Sequence, residues 1–175
     1  MAKNGERITL LELAINIIEL AYVLHRGEEM QMECFLDLHS GKILNIPTNP
    51  DLVKRLHHKK VSDMNFNEKY FVDHLISDKS SYLYIPDLFK QNIYNLMSSF
   101  VNEVEKRNFV DSQALWNTIQ SEGGFSEFHS IISGKQKLYD LFIEFRDRTY
   151  KKFAIGWLKE NQIKIISANQ ENLIN

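Results

Sequence analysis

The sequence predicts an α+β fold that is mostly helical, with a small three-stranded antiparallel sheet packed on a helical bundle. Two observations lead to this prediction. Apolar and polar residues alternate from Met30 to Leu38, which is typical of a half-buried strand. From Asp87 onward, apolar residues instead recur at the three- and four-residue spacing of amphipathic helices. The sheet is therefore expected early in the chain and the bundle late in it.

Three segments are the predicted strands. Met30–Leu38 and Lys42–Ile46 are separated by a turn, in which Gly41 supplies a left-handed residue. An isolated hairpin of this size is only marginally stable in water. A third strand is therefore expected beside it, and Ser81–Ile85 is the candidate because it is apolar and ends at a proline.

The sequence of the N-terminal region predicts a very apolar helix. Thr9 and Glu12 have the spacing of a capping box, and the helix runs to about His25, with Gly27 as its left-handed stop. The stretch Leu10–Leu24 is apolar over most of its circumference, so the helix must be covered on more than one side. It is either a central core helix or a helix that lends one face to a partner. If the partner is a second copy, the protein is a homodimer through Leu10–Leu24.

The long helix predicted over Gln136–Asn161 is the expected centre of the bundle, because its apolar stripe covers nearly half of its circumference. Gly156 lies within that stripe and costs about 1 kcal/mol relative to Ala. A neighbouring backbone is therefore expected to approach closely there. The other bundle helices are predicted from Leu88 to about Lys106 after Asp87, from Asp111 as N-cap through Ile119, and around a buried side formed by Phe125, Phe128, Ile131 and Ile132.

The chain is expected to form a single α+β domain over residues 1–167, with an irregular helical insertion at 48–80 and a flexible polar tail at 168–175. A short extended piece is expected over Ile163–Ile166. The insertion carries the one basic cluster of the chain. Such a cluster is usually a solvated face, and contact with phosphate or nucleic acid is the alternative for its members, Lys54, Arg55, His57, His58, Lys59 and Lys60.

Arg146 departs from the pattern of the long helix, because it lies on the same arc as the flanking aromatic residues. A buried guanidinium needs a partner. The structural interpretation is an Arg that stacks on an aromatic ring and pairs with a carboxylate from another element. Glu103, Glu122 and Glu127 are the candidates for that carboxylate. The alternative is an anion-binding Arg in a cleft, with Asp147 and Arg148 beside it as the candidate ligand-binding residues.

Composition and motifs argue against several kinds of chemistry. The formal charge of −2 gives no global basic field for nucleic acid. The single cysteine, Cys34, excludes an intramolecular disulfide and a thiolate metal cluster, and suits the cytoplasm. No stretch has the length of a membrane span. The sequence has neither a zinc-helix spacing of His residues, nor a phosphate loop, nor a nucleophile elbow, so no metal, cofactor or catalytic residue is predicted.

Five motifs follow one another along the chain, and in this order they resemble the bacterial uncharacterised protein family 0158. They are LDL-x-x-G at Leu36–Gly41, an Ile-Pro strand end at Ile85–Pro86, G-x-F-x-x-F at Gly123–Phe128, F-R-D-R at Phe145–Arg148, and A-x-x-W-L at Ala154–Leu158. The resemblance implies a small cytoplasmic α+β protein of unknown role, and it carries no established activity and no catalytic residue.

Two departures from that family matter for function. Ser126 and Glu127 stand where the family usually has basic residues, and Phe142 stands where it usually has Trp. The missing basic pair weakens any inference about nucleic acid that the resemblance would supply.

A non-enzymatic protein-binding or regulatory module with an unidentified protein partner is therefore the expected function, and nucleic acid is not the expected partner. Two alternatives stay open. One is a binder of nucleic acid or an anionic ligand that uses Arg146 or the cluster from Lys54 to Lys60. The other is an enzyme whose site does not show in the sequence.

Overall fold

The structure is a computed structural model that describes residues 10–27, 31–47, 79–107, 111–121 and 123–166. Within these residues the fold is α+β and mostly helical, so the predicted fold class is confirmed. The elements in chain order are β1 (Leu11–Leu13), α1 (Ile17–Val23), β2 (Met32–Asp37), β3 (Ile43–Pro47), a 3-10 turn (Lys79–Ser81), β4 (Tyr82–Ile85), α2 (Phe89–Lys106), α3 (Ser112–Ile119), α4 (Gly124–Ser133), α5 (Gln136–Glu160) and β5 (Ile163–Ile165).

The three-stranded antiparallel sheet has the order β3-β2-β4, which confirms the three predicted strands. In the central strand, Phe35 lies opposite Leu44 on one side and Tyr84 on the other. Gly41 has a φ of 71°, as the turn between β2 and β3 requires. A Cβ atom there would also overlap the carbonyl oxygen of Ala14, so this turn is packed against the segment before α1.

The predicted helix over Leu10–Leu24 is wrong in its first half. Residues 11–13 form β1, which pairs in parallel with β5 in a second, two-stranded sheet. The helix α1 begins only after Asn16, whose Oδ1 accepts hydrogen bonds from the backbone N–H groups of Ile18 at 3.1 Å and Glu19 at 3.2 Å. The continuous Leu10–Leu24 helix, through which a homodimer is predicted, is therefore not what these residues form, and the homodimer itself stays a prediction. Gly27 has a left-handed φ of 74°, but it does not stop α1, which already ends at Val23 with a right-handed C-cap at Leu24. Thr9, the predicted cap, lies outside the described residues.

The long helix α5 lies at the centre of the bundle and packs against α1, α2 and α4. An aromatic cluster joins three of these helices. The ring of Phe100 in α2 lies 6.2 Å from that of Phe128 in α4, and 5.1 Å and 5.5 Å from the rings of Phe142 and Phe145 in α5. Phe100 and Phe128 are fully buried, so this cluster is the middle of the core.

Two details of the predicted bundle are wrong, and one is confirmed only in part. No heavy atom lies within 4 Å of a Cβ built on Gly156, outside its own helix and chain neighbours, so no backbone of the described residues approaches it closely. Asp111 is the N-cap residue of α3 as predicted, but its side chain makes no capping hydrogen bond, and its carboxylate pairs with the ammonium group of Lys135 at the start of α5. Phe125 is 40% exposed and lies against the ring of Phe89 instead of being buried.

Other predictions fall outside the described residues. These are the insertion at 48–80 except for its last two residues, the basic cluster from Lys54 to Lys60, and the tail at 168–175. The single domain over 1–167 stays a prediction. Among the helices that the structure describes, none is both long and apolar enough to cross a membrane.

Candidate functional site

Tyr22 of α1 and two neighbouring residues of α5 form a closed hydrogen-bonded triad. Arg146 donates to Oδ1 of Asp147 from Nε at 2.9 Å and from Nη2 at 2.7 Å. Nη2 also donates to the hydroxyl of Tyr22 at 2.9 Å, and that hydroxyl donates to Asp147 at 3.1 Å. The guanidinium carbon lies 5.4 Å from the centre of the Tyr22 ring, within the range of a cation–π contact. The triad therefore fastens α1 to α5.

The partner predicted for Arg146 is therefore wrong, because the carboxylate that pairs with the guanidinium belongs to the next residue of the same helix and not to another element. Its side chain is mostly buried, with 25% exposed. Burial alone would lower the pKa of Arg146, but the hydrogen bonds and charge of Asp147 outweigh burial and raise it. Of the predicted partners, Glu103 pairs with Arg107 at 2.8 Å, Glu127 accepts a hydrogen bond from Ser121 at 3.3 Å, and Glu122 lies outside the described residues.

His25, at the end of α1, is buried in the same interface. Its ring stacks on that of Tyr150, with centroids 3.9 Å apart and planes 5° apart. Nδ1 lies 3.0 Å from the carbonyl oxygen of Ala21, so it must donate, and Nε2 then accepts from the amide of Asn92 at 3.2 Å. Burial lowers the pKa of His25 in spite of the Ala21 carbonyl and the charge of Asp87. The neutral imidazole is therefore the form that this interface holds.

A cleft of about 380 Å³ opens between α1 and α5 beside the triad. Its floor and walls are mainly apolar, and its lining residues are Ile18, Ala21, Tyr22, Asp147, Arg148, Tyr150 and Lys151. Ile18 is 63% exposed and Tyr22 is 44% exposed, although both are large and apolar or aromatic. They are four residues apart, so they project from one face of α1 and together form one apolar surface.

The rim of this cleft is positively charged. Arg148 is 46% exposed and lies 3.9 Å from Glu103, but that carboxylate has a nearer partner in Arg107 at 2.8 Å. Lys151 is exposed and makes no ion pair within the described part of the chain. Because Asp147 is already neutralised by Arg146, the charge that faces a ligand in the cleft comes from Arg148 and Lys151.

Comparison with known families matches residues 12–174 to the uncharacterised protein family UPF0158. The chain belongs to this family. No curated protein matches the chain, and no solved structure does. The region matched to UPF0158 contains both α1 and α5, so the cleft lies within the part of the chain that carries the family's sequence pattern.

Of the predicted ligand-binding residues of this UPF0158 chain, Asp147 and Arg148 line the cleft, whereas Arg146 does not line it and is bonded to Asp147 and Tyr22 in the triad. The predicted basic patch from Lys54 to Lys60 is not described. Sequence reasoning missed Tyr22, which the four-residue spacing from Ile18 could have marked as part of an exposed pair.

Other reactive groups of this UPF0158 chain lie away from the cleft. Cys34 is buried in the central strand, and burial raises the pKa of its thiol to about 11, which leaves it protonated and unreactive at neutral pH. No group of three or more His, Cys, Asp or Glu residues is placed to hold a metal ion in the ranges that the structure describes.

Proposed function

We propose that this chain is a non-enzymatic bacterial protein of the cytoplasm that regulates a partner protein by binding it at the cleft between α1 and α5. The occupant is a short acidic segment of the partner, with one large apolar side chain close to an Asp or Glu. The observation that carries the proposal is the exposed apolar pair Ile18 and Tyr22 beside the cationic rim formed by Arg148 and Lys151.

The apolar half of the proposal rests on Ile18, which at 63% has the highest exposure among the large apolar side chains that the structure describes. Covering it and Tyr22 would remove apolar area from water, which is the main favourable term in protein association. A cleft of about 380 Å³ has the size to take an apolar side chain of a partner.

The charged half of the proposal rests on complementarity. Arg148 and Lys151 border the apolar floor, so a carboxylate next to the inserted side chain would meet one of them. Exposed pairs of this kind add little affinity but set orientation and exclude basic partners. An acidic protein segment is therefore favoured over a basic or purely apolar one.

The test is photocrosslinking in the native cell, with a photoreactive amino acid at position 18 and, as a matched control, at position 94. Tyr94 is 56% exposed on α2, outside the residues that line the cleft. We expect a discrete protein adduct from position 18 and none from position 94. Peptide mapping of the adduct should identify a segment with an apolar residue next to Asp or Glu.

Two charge reversals make the experiment specific. Lys151→Glu should reduce the adduct at position 18 by about tenfold, equivalent to roughly 1.4 kcal/mol, whereas Lys159→Glu, at an exposed position near the end of α5, should leave it unchanged. An adduct that nuclease removes would show a nucleic-acid partner instead. Equal adducts from positions 18 and 94, or an adduct indifferent to Lys151→Glu, would reject the proposed site.

A further inference from the structure

His25 is buried, with 6% of its surface exposed, and it contacts both walls of the cleft between α1 and α5. Its Nδ1 lies 3.0 Å from the carbonyl oxygen of Ala21, which lines the cleft from α1. Its ring stacks on that of Tyr150, which lines the cleft from α5, with centroids 3.9 Å apart. One imidazole therefore joins the two walls, so its protonation state can change the shape of the cleft.

The contacts of the His25 ring suit a neutral imidazole. On α2, the amide nitrogen of Asn92 lies 3.2 Å from Nε2 and donates to it, because Nδ1 is the donor to Ala21. On α5, the contacts are aromatic, since the ring of Phe153 lies 5.4 Å away beside the stacked ring of Tyr150. A proton added to Nε2 would place two N–H donors opposite each other. Turning the Asn92 amide would restore the hydrogen bond, but the charge would stay buried.

The charged groups near His25 do not compensate for a positive charge in this place. Asp87, just before α2, attracts a proton to His25, but its Oδ1 is bonded to the backbone at the start of α2. Arg26, the next residue, is itself positive and donates to three backbone carbonyl groups. On α5, Arg146 and Asp147 neutralise each other in the triad. Burial is the largest influence on the pKa of His25 and lowers it, so the charged ring is more stable in water than in this interface.

We propose that His25 is a pH-sensitive switch for the cleft between α1 and α5. When Nε2 takes up a proton from water, the ring leaves its stack on Tyr150, the wall at Ala21 shifts relative to α5, and the cleft no longer fits its occupant. Tyr22 keeps α1 attached to α5 through the triad, so one wall shifts and the helix does not detach. The identity of the occupant rests on the proposed function, whereas the change in the cleft requires no partner.

The direction of the pH dependence follows from the environment of His25. Because its pKa is lowered from 6.5, the ring is neutral and the cleft keeps its shape at neutral pH. Protonation, and with it the change in the cleft, comes at a pH below 6.5. An occupant that binds only the neutral form loses affinity by at most about tenfold per pH unit below the folded-state pKa.

NMR of the full chain tests the switch without a partner. The ring C–H signal of His25 gives its titration midpoint. The δ1 methyl group of Ile18, which lines the cleft, reports on the walls from about two helical turns away. We expect both signals to change with the same midpoint, and the methyl signal of Ile131 in α4 to stay unchanged. An Ile18 signal that stays constant while His25 titrates would overturn the proposal.

Two variants separate the switch from a purely structural role of His25. His25→Phe keeps a ring on Tyr150 but cannot take up a proton, so the Ile18 signal should no longer change with pH. Asn92→Asp places a carboxylate beside Nε2, so the charged ring should stay in the stack, the midpoint of His25 should rise, and the Ile18 signal should stay constant. His129→Gln, at an exposed position of α4, is the matched control and should behave as the wild type. If the Ile18 signal of either His25→Phe or Asn92→Asp changes as in the wild type, the proposal is wrong.

Photocrosslinking from position 18 in cell extract, between about pH 7.5 and about pH 5, tests the effect on the partner. The protein adduct of the wild type should fall with the midpoint of the His25 signal, and the adduct of His25→Phe should not. An adduct that stays constant or grows on acidification, while His25 titrates, would mean that the charged ring stays in place, and it would overturn the switch. The absence of any adduct at neutral pH would instead reject the proposed function, and the Ile18 signal would still decide the switch.

Discussion

At the scale of single residues, Arg146 shows how much a helical wheel predicts. The wheel places it among aromatic neighbours, and in the structure the ring of Tyr22 does lie against its guanidinium at 5.4 Å. The wheel does not predict its partner, because Asp147, the next residue along the helix, points to the edge of the stripe in a sequence-based view. Tyr22, which lies 124 residues from Arg146 in the sequence, bridges the two charged groups, because its hydroxyl accepts from Arg146 and donates to Asp147.

Replacing Tyr22 by Phe removes that bridging hydroxyl while keeping the ring. We expect Tyr22→Phe to lower the free energy of unfolding by about 1 kcal/mol, because the hydroxyl both accepts from Arg146 and donates to Asp147 in a half-exposed site. The matched control is Tyr94→Phe in α2, which should change it by less than about 0.5 kcal/mol. Urea unfolding of both variants measures the two values, and equal effects would mean that the triad contributes nothing to stability.

His25 predicts a dependence of stability on pH. Burial holds its folded-state pKa below the ordinary value of 6.5, so the unfolded chain takes up the proton first as the pH falls. The contribution of neutral His25 is therefore complete above pH 6.5, and it is lost as the pH falls from 6.5 toward the folded-state pKa, with a slope of at most about 1.4 kcal/mol per pH unit.

The measurement for His25 is the free energy of unfolding at several pH values on both sides of 6.5. His25→Phe keeps a ring on Tyr150 but cannot titrate, so it should remove this part of the slope. His129→Gln, at an exposed position of α4, should retain it. If wild type and His25→Phe have the same slope below pH 6.5, the imidazole is not held neutral in the folded protein.

At the scale of elements, the strands of the antiparallel sheet and the helix α5 follow from the sequence, and the N-terminal element does not. The apolar residues recur every second residue over Met32–Asp37, which is typical of a strand. They form a long stripe at helical spacing over Gln136–Glu160, which is typical of a helix. The run from Leu10 to Leu24 is too uniformly apolar to distinguish a helix from a strand followed by a helix. What decides it is tertiary, since β1 needs β5, which lies about 150 residues further along the chain.

Replacing glycine by alanine is expected to stabilise the protein at one site and to destabilise it at another. Gly156→Ala should stabilise the protein by about 0.5–1 kcal/mol, because the position is helical and a Cβ there meets no atom within 4 Å. Gly41→Ala should destabilise it by about 2 kcal/mol or more, because φ is 71° and the Cβ would overlap the Ala14 carbonyl oxygen.

Gly123→Ala separates the two causes of the Gly41 effect. Gly123 also has a positive φ, of 76°, but a Cβ there lies in open space, so only the backbone strain of about 1 kcal/mol should remain. Thermal and urea unfolding of the three variants measure these values. If Gly156→Ala instead destabilises the protein, a neighbouring backbone does lie close to Gly156, as the sequence predicts.

At the scale of the whole molecule, the sequence predicts the α+β class and the family, and it predicts half of the candidate site. Arg146, Asp147 and Arg148 share one helix, so their proximity follows from spacing alone. Ile18, Tyr22 and the cleft itself depend on where α1 docks, and no local pattern specifies that.

The sheet and the bundle share one continuous core, which predicts that they unfold together. Cys34 and Ile85 of the sheet belong to the same buried cluster as Phe100 and Phe142 of the bundle. The backbone N–H of Leu88 also donates to the carbonyl oxygen of Leu24 at 2.6 Å, which ties the start of α2 to the end of α1. Opening the sheet alone would therefore expose part of the bundle core to water.

Cys34 is the probe for this cooperativity, because it is 1% exposed and its thiol, with a pKa of about 11, reacts only when the central strand opens. We expect Phe100→Leu to lower the free energy of unfolding, followed by Trp fluorescence, by about 1–2 kcal/mol. The free energy of opening obtained from thiol-labelling rates at Cys34 should fall by the same amount, whereas Phe125→Leu, at a 40% exposed position, should change both by less than about 0.5 kcal/mol. If Phe100→Leu destabilises the bundle while the labelling of Cys34 keeps its wild-type rate, the sheet opens independently of the bundle, and the two are separate cooperative units.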